Sequence, residues 1–133
     1  MILADTSAWV EFDRGTGSKT DQLLTELITK GGKELAVTEP ILMEVLSGAK
    51  DEARHKSLRR LLTSYEWLPT DTVSDFEGAS VIYRQCRKEG ITPRGLIDCI
   101  IVNIAIRTSS QLLAADKDFH DISKVVPVKL TQI

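Results

Sequence analysis

Asp98 is a carboxylate in an unexpected place for this sequence. It lies in the segment Gly-Leu-Ile-Asp-Cys-Ile-Ile-Val-Asn-Ile-Ala-Ile, residues 95–106, the most hydrophobic helical stretch of the chain. A carboxylate in such a setting loses hydration unless a cation or hydrogen-bond donors replace the water. Arg94, four residues earlier, could replace it through an ion pair within one helix. A bound metal ion is the other interpretation.

Three further acidic residues adjoin apolar segments. Asp5 follows the run Ile2–Ala4, Asp116 follows residues 111–115, and Glu44 borders the apolar stripe of a predicted helix. Each has an ordinary alternative role, because Asp5 could cap a helix, Asp116 could form a turn or cap, and Glu44 could be a boundary residue. Their joint occurrence with Asp98 is the observation that favours a shared site.

The elements that must position these carboxylates are short apolar strands alternating with helices. Such an alternation predicts an α/β fold with right-handed crossovers and a mainly parallel sheet of four or five short strands, covered on both faces. Turn residues and apolar periodicity place the strands at residues 2–4, 35–37, 66–68 (an edge strand), 111–115 and 125–130. They place the helices at residues 8–14, 19–30, 39–48, 51–64, 73–89 (with Ser74 and Glu77 as a capping box) and from Pro93 onward, with a turn or short helix at 116–122.

In such a sheet, ligands bind outside the carboxyl ends of the strands, which is where Asp5 and Asp116 fall. Several carboxylates gathered there would repel one another without a cation. Oxygen-only ligands favour Mg²⁺ or Mn²⁺, and the histidines His55 and His120 lack the spacing of a metal pair. A site of this kind is typical of phosphoryl chemistry, in which a metal activates water against a phosphodiester.

Size and composition indicate one domain spanning residues 1–133, with 42% hydrophobic and 27% charged residues. The net charge of −2 argues against a protein that coats nucleic acid through bulk positive charge. Cys86 and Cys99 lie in apolar helical patterns and are expected to be reduced core residues. No secretion signal or membrane-spanning segment is evident in the sequence, so the expected location is the cytoplasm.

Four blocks of the sequence together resemble a known family. They are ILADTSAWVE at residues 2–11, PILMEVLSG at 40–48, GLIDCIIVNIAI at 95–106 and LLAADKDF at 112–119. In this order and spacing they look like a PIN domain, and more narrowly like the VapC-like toxins of type II toxin–antitoxin pairs. The resemblance runs almost from end to end, and the set of blocks is more specific than any one of them.

The resemblance implies a three-layer α/β/α sandwich and a Mg²⁺-dependent endoribonuclease, usually dimeric and held inactive by a cognate antitoxin. Carried onto this chain, it implies a catalytic quartet of Asp5, Glu44, Asp98 and Asp116, of which the three aspartates hold the metal. Asp118 is a candidate fifth member, and Thr6 and Ser7 match the hydroxyl pair that follows the first aspartate. Ala114 departs from the pattern, since many family members carry Thr or Ser there, so Thr6 or water is expected to cover any role of that hydroxyl.

Charge and aromatic residues suggest partners. Residues 50–60 and 84–94 each carry a local charge of +3 and could hold RNA phosphates, although ordinary solvated helix faces explain each run equally well. Trp9, Phe12 and Trp67 lie near element ends and could anchor a homodimer or an antitoxin interface, or simply complete the core.

The sequence argues against two other functions and leaves a third open. An aspartate-phosphorylating phosphatase would need a second Asp two residues after Asp5, and a phosphoacceptor signalling domain would need an acidic pair at the end of the first strand. The sequence has neither. A non-enzymatic module whose acidic pocket docks a basic peptide stays open as the alternative to a nuclease.

Overall fold

The computed structural model describes all 133 residues, with four short strands alternating with seven helices. The strands are β1 (Ile2–Ala4), β2 (Leu35–Val37), β3 (Glu66–Trp67) and β4 (Gln111–Leu113). The helices are α1 (Thr6–Arg14), α2 (Lys19–Thr29), α3 (Glu39–Ser47), α4 (Glu52–Leu62), α5 (Thr72–Lys88), α6 (Leu96–Arg107) and α7 (Lys117–Ser123). None of these helices is both long enough and apolar enough to cross a membrane.

The sheet has the order β3-β2-β1-β4, and every pair of neighbouring strands is parallel. The α/β fold with a parallel sheet is therefore confirmed. β1 is one of the two inner strands and pairs with β4 through Leu3 opposite Leu112 and Ala4 opposite Leu113. Because the two strands end in register, the residues that follow them start from the same edge of the sheet.

The predicted fifth strand at residues 125–130 is wrong apart from one residue. Only Leu130 forms a parallel bridge, with Leu112, and the rest of the segment is irregular. Pro127 lies in its middle and has no N–H to donate to a ladder, which explains why an apolar run fails to become a strand. β4 likewise ends at Leu113, two residues earlier than predicted.

Five helices begin one to three residues from the predicted position, α4 and α7 by a single residue. α1 starts at Thr6 because Asp5 itself is the N-cap, and α5 starts at Thr72 because Asp71 accepts from the Ser74 N–H. The predicted capping box at Ser74 is therefore wrong. α6 starts at Leu96 rather than Pro93, which places Asp98 in its first turn.

The core consists of 27 buried residues from the sheet and the helices that cover it. Trp9 is fully buried and stacks on Tyr65, so of its two predicted roles the structure supports completion of the core. Phe12 and Trp67 are half-buried and pack against the core. Cys86 and Cys99 are buried free thiols, as predicted.

The helix pair α5 and α6 is antiparallel and locked by polar contacts. Asp75 near the start of α5 accepts from Arg107 at the end of α6, at 2.8 and 2.9 Å, and from Asn103 at 2.8 Å. Burial alone would raise the pKa of Asp75, but these hydrogen bonds outweigh it and the pKa lies below its ordinary range. Gly78 lets the helices approach, because a Cβ there would come within 2.3 Å of the Asn103 amide oxygen.

Replacing Asp75 by Ala is expected to destabilise the protein by about 3 kcal/mol, because it leaves the Arg107 guanidinium without its buried carboxylate. Urea unfolding followed by circular dichroism measures the loss. Asp121→Ala is the matched control, since it breaks only the exposed pair with Lys124, and such a pair contributes less than about 1 kcal/mol. Equal losses of unfolding free energy in the two variants would contradict a stabilising role for the contacts of Asp75.

Candidate metal centre

The ends of β1 and β4 are joined by the side chain of Ser7. Its hydroxyl donates to Asp5 Oδ2 at 2.7 Å and accepts from the Ala115 N–H at 2.9 Å. The Asp5 N–H in turn donates to the Leu113 carbonyl at 2.8 Å. The turn after β4, which leads to Asp116, is thus held against the residue that follows β1. This linking role of Ser7 could not be read from the sequence, in which Ser7 is only one of the hydroxyl pair after Asp5.

Asp5 is buried with half of its carboxylate unsatisfied. Oδ2 accepts from the Ser7 N–H and hydroxyl, whereas the buried Oδ1 has no hydrogen-bond partner. Burial is the main cause that raises the pKa of Asp5 to about 6; the Ser7 bonds oppose the rise and the charge of Asp98 adds to it. A buried carboxylate oxygen without a donor is the position in which a cation would be stabilising.

Glu44 lies on α3 and is oriented by α1. Its Oε1 accepts from the Thr6 hydroxyl at 2.6 Å. The Thr6 hydroxyl is therefore engaged with Glu44. Compensation by Thr6 or water for the missing hydroxyl at Ala114 stays a prediction.

Asp98 is partly buried in the first turn of α6. Desolvation is the largest cause that raises its pKa to about 6, followed by the charges of Glu44 and Asp118, with Arg94 opposing them. Its carboxylate makes no hydrogen bond to Arg94, whose guanidinium pairs with Asp116 and Asp118. The simple ion pair between Asp98 and Arg94 is therefore not formed.

Asp98, Asp116 and Asp118 come together around one point. One carboxylate oxygen from each lies within 4.8 Å of the others. Asp116 is the N-cap of α7, and its Oδ1 accepts from the Asp118 N–H at 3.0 Å, which orients both side chains. Asp5 and Glu44 fall outside this tight group. The charge of Glu44 nevertheless raises the pKa of Asp98, and the charge of Asp98 raises the pKa of Asp5.

A cleft of about 440 Å³ opens beside this cluster. Glu44, Arg94 and Asp98 supply its polar walls, and Leu96 leaves 57% of its surface exposed at the rim. The arrangement combines an anionic centre with an open approach for a substrate.

The donor set fits a hard divalent cation. All candidate ligands are carboxylate oxygens, which Mg²⁺ and Mn²⁺ prefer, and no Cys or His belongs to the group. The unpartnered Asp5 Oδ1 and the raised pKa of Asp98 both indicate negative charge that lacks compensation. A bound divalent cation would neutralise the negative charge at both carboxylates.

Comparison with known proteins gives concordant matches. The profile of the PIN domain family matches residues 2–125. A VapC ribonuclease of Mycobacterium bovis and ribonuclease VapC11 of Mycobacterium tuberculosis are each 42% identical over 125 residues, covering 94% of this chain and 93% of the relative.

Solved structures share the fold. VapBC2 of Rickettsia felis bound to a promoter DNA fragment superposes with a TM-score of 0.74 at 17% identity, covering 98% of each chain. VapC20 of Mycobacterium tuberculosis, described as a toxin that cleaves the sarcin–ricin loop, superposes with a TM-score of 0.67 at 16% identity, covering 97% of this chain and 99% of that one.

Proposed function

Because this chain belongs to the PIN domain family, and within it to the VapC ribonucleases, we propose that it is a Mg²⁺-dependent endoribonuclease and the toxin of a toxin–antitoxin pair. The observation that carries the proposal is the convergence of Asp98, Asp116 and Asp118, together with a buried Asp5 whose pKa is raised mainly by burial and also by the charge of Asp98. This convergence places the anionic charge that metal-assisted phosphodiester hydrolysis needs at the edge of an open cleft.

Asp5, Asp98 and Asp116 are the proposed metal ligands, with Asp118 as an additional candidate. A bound Mg²⁺, for which Mn²⁺ could substitute, would supply positive charge at the phosphate and lower the pKa of a coordinated water. Glu44 completes the catalytic quartet and orients the attacking water, and the Thr6 hydroxyl fixes the direction of its carboxylate by donating to Oε1. Thr6 is thus a positioning residue.

The basic end of α5 suits the RNA substrate. Since Asp75 at the start of α5 contacts Arg107 at the end of α6, the other end of α5 lies level with Asp98. Arg84, Arg87 and Lys88 line a hollow there with Tyr83, and none of the three cations has a salt-bridge partner. Unpaired cations beside an aromatic ring suit the phosphates and bases of single-stranded RNA.

An antitoxin is the proposed protein partner. Several structures with this fold are described as VapBC or toxin–antitoxin complexes. An anionic cleft would attract a basic segment of such a partner, and an inserted Arg or Lys would neutralise the carboxylates. We place this activity in the cytoplasm, where the RNA substrate lies.

A homodimer is also proposed. Val73, Phe76 and Val81 each expose more than half of their surface along α5, at 67%, 55% and 53%. Sedimentation of the purified protein gives the oligomeric state, and replacing Phe76 by Ser is expected to weaken the dimer.

The test of the activity is RNA cleavage by the purified protein with Mg²⁺ and with a chelator. We expect cleavage that stops on chelation and returns with added Mg²⁺. The fragments should end in a 5′-phosphate and a 3′-hydroxyl, because water would attack phosphorus, the P–O3′ bond would break and the departing O3′ would take up a proton, which is the polarity that the family resemblance implies. A 2′,3′-cyclic phosphate would instead show attack by the ribose hydroxyl. Binding of a basic peptide without any cleavage would favour the alternative, a non-enzymatic module with an acidic pocket.

A further inference from the structure

Arg94 is the one cation in direct contact with the acidic cluster. Its Nε donates to Asp118 Oδ2 at 3.0 Å, and its backbone N–H donates to the same oxygen at 3.2 Å. The guanidinium also pairs with Asp116 Oδ2. The side chain is nevertheless 68% exposed, so it reaches the cluster from the solvent side.

These contacts occupy oxygens that the proposed metal would use. Asp116 Oδ1 is engaged by the Asp118 N–H, and Asp116 Oδ2 and Asp118 Oδ2 are both engaged by Arg94. A guanidinium and a divalent cation on the same oxygens would repel each other strongly, because both are positive and the separation would be short. Binding of the cation close to Asp116 and Asp118 therefore favours departure of Arg94 from at least one of these carboxylates.

We propose that Arg94 is the internal counter-ion of this site: it holds Asp116 and Asp118 in the metal-free protein, competes with the divalent cation, and after release holds a phosphate of the RNA. The inference rests on the proposed function and adds a residue that the acidic quartet does not include.

The surroundings of Arg94 support both halves of this role. It precedes Gly95, the N-cap of α6, and lines the cleft together with Asp98 and Leu96. Because most of the side chain is already exposed, moving it costs little desolvation or packing. A released guanidinium would stay at the mouth of the cleft, where its planar set of donors matches a phosphate. Arg107, by contrast, is tied to the fully buried Asp75 and has no such freedom.

The test is a calorimetric Mg²⁺ titration of the unchanged protein, Arg94→Gln and Arg54→Gln. Arg54 pairs with Asp13, and neither residue belongs to the cluster or lines its cleft, so its replacement removes the same charge and serves as the matched control. We expect Arg94→Gln to bind Mg²⁺ about tenfold more tightly, since a competitor is gone, and Arg54→Gln to bind as the unchanged protein does.

Steady-state cleavage supplies the second measurement. Arg94→Gln should raise KM for RNA while its Kd for Mg²⁺ falls, and a purely structural role would not move the two constants in opposite directions. Equal Mg²⁺ affinity of Arg94→Gln and the unchanged protein would overturn the inference and leave the nuclease proposal intact. Absence of Mg²⁺ binding by the unchanged protein would overturn both.

Discussion

Replacing Asp98 by Asn is expected to reduce RNA cleavage by about a thousandfold or more while the protein stays folded. Asn keeps the shape of the side chain and removes the charge that Asp98 contributes to the cluster. The raised pKa of Asp98 shows that this charge is costly without a cation, so its removal should not weaken the metal-free fold. Initial rates on a single-stranded RNA, with circular dichroism of the same samples, measure both effects.

Asp121→Asn is the matched control for this prediction. Asp121 lies on α7, close in sequence to Asp116 and Asp118, but it pairs at the surface with Lys124 and stays outside the cluster. It should cleave at the normal rate. A folded Asp98→Asn protein with unchanged cleavage would remove Asp98 from the proposed mechanism.

The metal-free protein is expected to lose stability as the pH rises through 6, and Mg²⁺ is expected to reverse this loss. Burial raises the folded-state pKa of Asp5 from 3.8 to about 6. The contribution of protonated Asp5 to the free energy of unfolding is therefore fully present below pH 3.8 and is lost as the pH rises through the folded-state pKa. A rise of about two pKa units corresponds to about 3 kcal/mol, of which about half disappears between about pH 5 and pH 7.5. Asp98 acts in the same direction.

Chemical unfolding at several pH values, with chelator and with Mg²⁺, tests this linkage. Asp5→Asn provides the comparison, because it removes the titrating charge and should flatten the pH dependence of the metal-free protein. Asp75, whose pKa is lowered, acts in the opposite direction, but its effect is complete at more acidic pH. A metal-free protein whose stability rises from about pH 5 to pH 7.5 would contradict the unsatisfied state of Asp5.

Where local signals are strong, the sequence predicts the positions of strands and helices well. The run Ile2–Ala4 followed by Asp5 marks both the buried strand and the capped helix after it, so the position of Asp5 could be inferred from pattern alone. The strand predicted at residues 125–130 does not form, because the segment is apolar but Pro127 in its middle lacks the N–H that a strand ladder needs. The sequence leaves Trp9 open between core and interface, because position near an element end does not determine which face of a helix is buried.

The candidate site was predictable in its residue types but not in its grouping. Four acidic residues on separate elements indicated a shared centre, and the structure brings Asp98 and Asp116 together. Asp118, the predicted fifth candidate, lies with them, because its N–H donates to Asp116 Oδ1 in the N-cap turn of α7. The partners of Arg94 could not be predicted, since spacing within one helix suggests Asp98, whereas α6 begins only after Arg94.

The brevity of the outer strands has a consequence for how other proteins can attach. β3 is only two residues long, and the outer side of β4 is covered where Leu112 exchanges backbone hydrogen bonds with Lys129 and Thr131. Neither border of the sheet offers the row of free N–H and C=O groups on which an incoming strand could be templated. Partner chains are therefore expected to bind through side chains rather than by adding a strand, and the sheet offers little for edge-to-edge aggregation between copies.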